Sequence, residues 1–252
     1  MTLEPRIAIT LAAMAVMTLG CSRKPSATER FDPPPPAATA EALVRSLEIF
    51  SWDGVPASLA AKHAAPPALA SAVLTRLFPR SLSSADHCPE TPGTLEQARA
   101  KGWVVPRVTH HVEGSFSRVG AREVALGVRV GECGATHAED WGTSRLVLWS
   151  EDQILYDMEL RGRLAGAGDL DGDGLHELLV ELGGTNQGIT TTSLQVARLS
   201  PGGLKIVAEL GVVYEGSCGA QKPEGEEVSL VTAVKKNDSL NFELKKEHRP
   251  CR

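Results

Sequence analysis

The sequence predicts an α+β protein: a small helical segment in the N-terminal part, then a mainly antiparallel β region of two to three related units. Three observations carry this. Residues 39–102 place apolar residues at helical spacing, and residues 103–252 alternate short apolar runs with turns rich in glycine, aspartate and asparagine. One stretch of the second part also overlays on another about 50 residues away, a period typical of repeat architectures.

The helical elements come first. From Thr39 to Phe50, Leu43, Val44, Leu47 and Phe50 recur at helical spacing, and Asp53-Gly54 stops the pattern. A second helix is predicted between Pro67 and Phe78, with Leu69, Val73, Leu74 and Leu77 on one side. A third starts at Thr94, where Thr94 and Gln97 form a capping box, and ends at Gly102. Such apolar stripes are core surfaces, and nothing marks them as a cofactor site.

In the β region the stretch Gly168-Asp169-Leu170-Asp171-Gly172-Asp173-Gly174-Leu175-His176-Glu177 sets three aspartates at alternate positions, with glycines that permit a tight turn. A backbone looping in this way aims several oxygens at one centre, as a hard cation requires. It is not an EF-hand. The twelfth position counted from Asp169 is Val180, and Leu178 to Leu182, ended by Gly183-Gly184, reads as a buried strand where an EF-hand has a helix. The loop resembles the FG-GAP and VCBS repeats of integrin-type β-propellers, which run from an Asp-x-Asp-Gly-Asp-Gly loop into a strand. That resemblance implies calcium, bound by the side chains of Asp169, Asp171, Asp173 and Glu177 and by the Leu175 carbonyl. It departs from the family at Glu177, where aspartate is usual.

A second copy lies upstream. Gly114-Ser-Phe-Ser-Arg-Val-Gly120-Ala-Arg-Glu123 lies over Gly168 to Glu177 with both glycines and the glutamate coinciding, but Ser115, Ser117 and Val119 replace the three aspartates. This copy keeps the turn and has lost the charge that calcium needs. Further on, Leu146 to Ser150 lies over Val196 to Ser200, and Glu159-Leu160 over Glu209-Leu210. Each unit reads as loop, strand, long polar connection and hairpin, with hairpin turns at Glu151-Asp152-Gln153 and Pro201-Gly202-Gly203. Residues 228–246 supply one more hairpin, on which Lys235-Lys236 and Lys245-Lys246 face solvent. Closed propellers typically need at least four blades, so these propeller-like units are not expected to form one.

Residues 1–20 have the layout of a secretory signal: Arg6, an uncharged run from Ile7 to Leu19, then Gly20-Cys21. Met17-Thr18-Leu19-Gly20-Cys21 resembles a bacterial lipobox, which implies lipidation of Cys21 and a membrane anchor. Ser22 resembles the outer-membrane sorting pattern. Residues 21–38, with Pro33 to Pro36 consecutive, form a tether too poor in apolar residues to build a core.

Four further cysteines, Cys88, Cys133, Cys218 and Cys251, allow two disulfides in an exported chain. Cys88 with Cys133 and Cys218 with Cys251 is the favoured pairing, with Cys133–Cys218 a competitor. Zinc, held by Cys88, Cys133, His87, His110, His111 or His137, lacks any supporting ligand spacing. No Gly-x-Ser-x-Gly elbow, phosphate loop or dinucleotide fingerprint occurs. Two polar stretches stand out: Gly131 to Gly142, flanked upstream by His110 and His111 and carrying His137 and Asp140, and Gly183 to Ser193 with Asn186 and Gln187. A net charge of −5 and a pI near 5.8 argue against nucleic acid as a partner.

The expectation is therefore a lipid-anchored cell-envelope protein, sorted to the outer membrane, with a structural calcium site. It acts as a binding or interaction module for a protein or carbohydrate. The alternative is an exported hydrolase in which His110, His137 and Asp140 converge.

Overall fold

The computed structural model describes residues 45–77, 106–131, 143–200, 202–221, 224–237 and 239–251. The expected signal segment, Cys21, the tether, the helix from Thr94, and His87, Cys88, Cys133, His137 and Asp140 lie outside them. The described chain is mainly antiparallel β, with twelve strands and one helix.

Two sheets make the body, and neither closes. One runs in the order β2 (Lys62–His63), β3 (Arg107–Gly114), β4 (Glu123–Gly131), β5 (Thr143–Ser150), β6 (Gln153–Leu160). The other, a curled sheet of seven strands, runs β1 (Arg45–Phe50), β11 (Glu226–Lys236), β10 (Gly203–Gly216), β9 (Ile189–Ser200), β8 (Glu177–Asn186), β7 (Arg163–Gly168), with β12 (Ser239–Arg249) paired to β11.

The two repeats are the four-stranded meanders β3 to β6 and β7 to β10. Their registers agree at the start, since Gly114 pairs with Glu123 and Gly168 with Glu177. They agree again at the last hairpin. The register slips between Ile154 and Tyr156 in one repeat and between Ile206 and Ala208 in the other, which leaves Leu155 and Val207 as bulged residues, 43% and 42% exposed. The overlay of the intervening strands is shifted by two residues from the one the sequence suggests. Trp149 lies opposite Val124 and Ala197 opposite Leu178, which makes Ser150 the counterpart of Arg198. Alternating apolar strands match one another in several frames, and only the ladder to the neighbouring strand selects one.

A strap joins the first strands of the two repeats. Ala61 donates to the Ala165 carbonyl at 2.8 Å and Ala167 to the Leu59 carbonyl at 2.9 Å, while β2, directly after, pairs with β3. Gly166 is required here, because a Cβ at that position would run into the Leu59 carbonyl.

Apolar alternation divides the core into layers. Ala125, Leu146, Leu148 and Phe116 of the first repeat pack with Leu164, Leu178 and Val180 of the second. The opposite face of the first sheet, with Val108, Leu126, Val128 and Val147, is covered by helix α1 (Pro67–Leu77) through Val73. Proline suits the first helical position, where its missing N–H is not needed, and Arg76 suits the last turn. Ile49, Phe50, Leu179, Val196, Val213 and Val231 fill a third layer under the seven-stranded sheet.

Two further expectations are corrected. Residues 45–50 form β1, not a helix: Ile49 and Phe50 are both buried through a bulge in the ladder to β11, and that pairing outweighs the helical spacing of Leu47 and Phe50. The strand after the aspartate loop does not end at Gly183-Gly184 but continues to Asn186, turns through Gln187 and Gly188, both at positive φ, and returns as β9. The second repeat thus has a tight hairpin where a long polar connection was expected. The helix at Pro67 and the final hairpin are as read, with Lys245 and Lys246 exposed and paired to Glu247 and Glu227.

Cys218 and Cys251 form a disulfide, with Cα atoms 5.4 Å apart. It pins the end of β12 to the connection after β10, beside Trp52, whose indole donates to Glu247 at 3.1 Å under the Arg249 guanidinium. A bridge spanning 33 residues restrains the unfolded chain. By loop-closure entropy that is worth about 3–4 kcal/mol. Replacing both cysteines by serine is predicted to lower the denaturant-derived unfolding free energy by about 3 kcal/mol; an unchanged midpoint would contradict this role.

Candidate functional site

The strands β3 and β7 have two ends, and each end gathers polar chemistry. At one end lie the repeat loops, at the other a cavity.

The loop end is organised by buried glutamates. In the first repeat the Glu123 carboxylate accepts the Phe116 amide at 2.6 Å, the Ser117 amide at 2.8 Å and the Ser117 hydroxyl. In the second, Glu177 Oε2 accepts the Leu170 amide at 2.9 Å. Both carboxylates are buried, and so are Phe116 and Leu170, which the loops tuck inward. Gly120 and Gly174 hold equivalent positions at φ of 75° and 88°, a conformation that glycine adopts without strain. The two loops stack. His176 donates its amide to the Ser115 carbonyl at 2.8 Å and its ring sits edge-on to Phe116, 5.7 Å between centroids.

The second loop differs in charge. Ligand atoms of Asp169, Asp171 and Asp173 lie within 4.8 Å of one another. The Asp171 and Asp173 carboxylates also accept the amides two residues on, at 3.0 and 2.8 Å, which shapes the turn. Arg198 enters from β9. Its Nε reaches Glu177 Oε1 at 2.8 Å, its Nη1 reaches Asp173 at 2.9 Å, and its Nη2 reaches Asp171 at 3.0 Å and Glu177. Burial opposes the charge of Arg198, but the bonds to Glu177 and Asp171 raise its pKa above the ordinary guanidinium value. Burial pushes the Glu177 carboxyl up, against the pull of Arg198 and the Leu170 amide.

Of the ligands expected from the sequence, the structure brings the three aspartates together. Glu177 is turned inward onto Leu170 and Arg198, and Leu175 contributes an amide to Asp173. One buried oxygen, Asp169 Oδ1, has no hydrogen-bond partner, and Arg45 stands 4.0 Å from the other. The three aspartates therefore fit a hard cation, with Asp171 and Asp173 sharing Arg198 with Glu177. Arg198 was not singled out from sequence, although an arginine in the apolar run Leu194 to Leu199 was the available signal.

The cavity at the other end encloses about 480 Å³. Arg107 and His110 from β3, Arg129 from β4, Arg163 from β7 and His63 from β2 line it, with Val108, Leu160 and Leu164 as apolar wall. The rings of His63 and His110 are 4.7 Å apart. Burial, the Arg163 guanidinium and His63 lower the His110 pKa from 6.5 to about 4. His111, adjacent in sequence, points away from this cavity into the fold and is buried. The hydrolase constellation of His110, His137 and Asp140 is represented among the described residues by His110 alone. Asn186 and Gln187, expected in a polar loop, sit at the tip of the β8–β9 hairpin and line a second depression, also of about 480 Å³.

A histidine that is neutral in the fold and protonates at 6.5 when unfolded stabilises the fold above pH 6.5. That stability is lost as pH falls toward 4, because the unfolded chain then binds the extra proton. His110→Gln is predicted to flatten the loss of stability over this window in denaturant titrations at stepped pH; an unchanged slope would contradict the assignment.

Comparison with known proteins finds no family model, no curated protein and no solved structure that matches this chain.

Proposed function

We propose that this protein is a cell-envelope binding module, tethered to the membrane through a lipid on Cys21, whose aspartate loop takes calcium as a structural ion. The cavity with convergent polar side chains is the observation that carries the binding role, since ligand sites are typically concave, apolar-walled and set with a few oriented polar groups. The tether rests on the lipobox resemblance of Met17 to Cys21. Among the described residues no helix is long and apolar enough to cross a membrane.

Charge supports the calcium reading. Asp169, Asp171, Asp173 and Glu177 contribute four negative charges, and Arg198 with Arg45 offsets two of them. The remainder matches one divalent ion. Asp169, Asp171 and Asp173 would hold it, with Arg198 remaining on Glu177. Arg198 keeps the loop folded without the ion, so calcium adds stability and is not a condition for folding. Of the three residues of the hydrolase alternative, only His110 lies within the described residues.

Two measurements on the full chain in detergent test this reading. Calcium at about a hundred times its dissociation constant is predicted to raise the unfolding free energy by about 2.7 kcal/mol. Asp171→Ala abolishes that gain, Ser117→Ala leaves it intact, and Arg198→Gln tightens calcium binding while lowering stability without calcium. Equal effects of the two loop substitutions would contradict the site. Separately, Cys21→Ala is predicted to release the chain from the membrane fraction and to prevent palmitate labelling; retention would contradict the tether.

A further inference from the structure

We propose that the cavity between β3, β4 and β7 binds a small organic oxyanion, with Arg107, Arg129 and Arg163 as its charge-recognising groups. The inference rests on the binding-module reading and names the chemical class of its ligand.

Four observations converge on an anion. First, three arginines and, among the described residues, no carboxylate line the cavity, although Glu181 pairs with Arg163, in a chain whose net charge is −5. The cavity is therefore a local reversal of the protein's overall sign, and such a reversal in a low-dielectric concavity concentrates anions. Second, Arg107 and Arg129 stand directly opposite one another on the β3–β4 ladder. Facing positions of an antiparallel pair lie on the same face of the sheet, so the two guanidinium groups are placed to act on one ligand. Third, Glu181, itself buried, holds Arg163 on the cavity wall, so its guanidinium is oriented before any ligand arrives. Guanidinium groups match carboxylate and phosphate oxygens with paired, directional hydrogen bonds.

The fourth observation concerns the rest of the ligand. A bare ion does not need about 480 Å³. The neutral His110 ring offers one donor and one acceptor, and its Nδ1, buried, has no hydrogen-bond partner among the described residues. The Thr109 hydroxyl donates to the Gly127 carbonyl at 3.1 Å, which leaves its oxygen lone pairs to accept. Groups of this kind suit hydroxyls on the ligand body, while Leu160 and Leu164 suit its carbon skeleton. Gly127 keeps the floor open, since its side chain would otherwise project toward Thr109, His110 and Leu164. The class is a hydroxylated molecule the size of a sugar that carries an oxyanion, either a carboxylate or a phosphate.

The test is calorimetric titration of the full chain in detergent at low salt with glucuronate, glucose 1-phosphate and neutral glucose. At least one of the two anions is predicted to bind saturably with a dissociation constant below about 1 mM, and the tighter of the two identifies the oxyanion. Arg107→Glu is predicted to weaken that binding by about tenfold or more. Arg107 is exposed at the rim and is not part of the core, so its reversal is compatible with folding. Arg161→Glu, the same charge change on an exposed turn outside the cavity, is the control and leaves the affinity unchanged. A dissociation constant above about 1 mM for both anions would overturn the proposal. Glucose binding as tightly as the anions, or Arg161→Glu weakening binding as much as Arg107→Glu, would do so too. Failure here with calcium stabilisation and Cys21-dependent membrane attachment intact would remove the oxyanion ligand alone and leave the envelope-module reading standing.

Discussion

A carboxylate buried at the first residue of the second strand of each repeat is the constraint on which the rest depends. Glu123 and Glu177 sit inside the fold, where an uncompensated charge costs several kcal/mol, so the chain must bring donors to them. The donors are the amides of the preceding loop, and reaching them forces that loop to curl over the strand pair. The curl requires the positive-φ glycines, drives Phe116 and Leu170 into the core, and fixes where the strands of each repeat begin. Hydrogen bonds to a charged acceptor are worth about 1.5–3 kcal/mol each, comparable to burying a large apolar side chain. The loop is thereby as firmly built as the sheets that it joins.

The two repeats complete this arrangement with different chemistry. The first satisfies Glu123 with a neutral hydroxyl from Ser117 and places Ser150 at the neighbouring position of the next strand, where its hydroxyl bonds the Arg122 carbonyl. The second carries aspartates in its loop and Arg198 at the position of Ser150, so that one guanidinium ties three carboxylates together. Loop aspartates and strand arginine are present together in one repeat and absent together in the other. One loop is thus a plain structural turn and the other an electrostatic centre, at the opposite end of β3 and β7 from the arginine-lined cavity.

Local patterns were legible wherever a single residue type decides the backbone. The turn glycines and aspartates of 168–177, the helix opened by Pro67, the hairpin through residues 236–239 and the loop-to-loop repeat all follow from such local rules. The even number of cysteines leaves the pairing open; Cys218–Cys251 is favoured over Cys133–Cys218 because it pins the last hairpin, and the structure forms it. What escaped depends on pairing across the chain. Residues 45–50 form a strand only because β11, almost two hundred residues away, offers its edge. The frame of the second overlay is set by ladders to β4 and β8 and not by the apolar pattern. Arg198, Arg107, Arg129 and Arg163 are unremarkable one by one; only the register of four strands assembles them into a clamp and a cavity wall.

The buried glutamates hold the loops shut without help from an ion. Amide hydrogen exchange of the calcium-free chain reads this directly at Phe116 and Leu170, the two residues whose N–H groups bond the carboxylates. Protection equal to that of core amides such as Val147 and Val196 is predicted for both. Exchange of either on the timescale of exposed loop amides would mean that the glutamate does not close its loop, and would contradict the account.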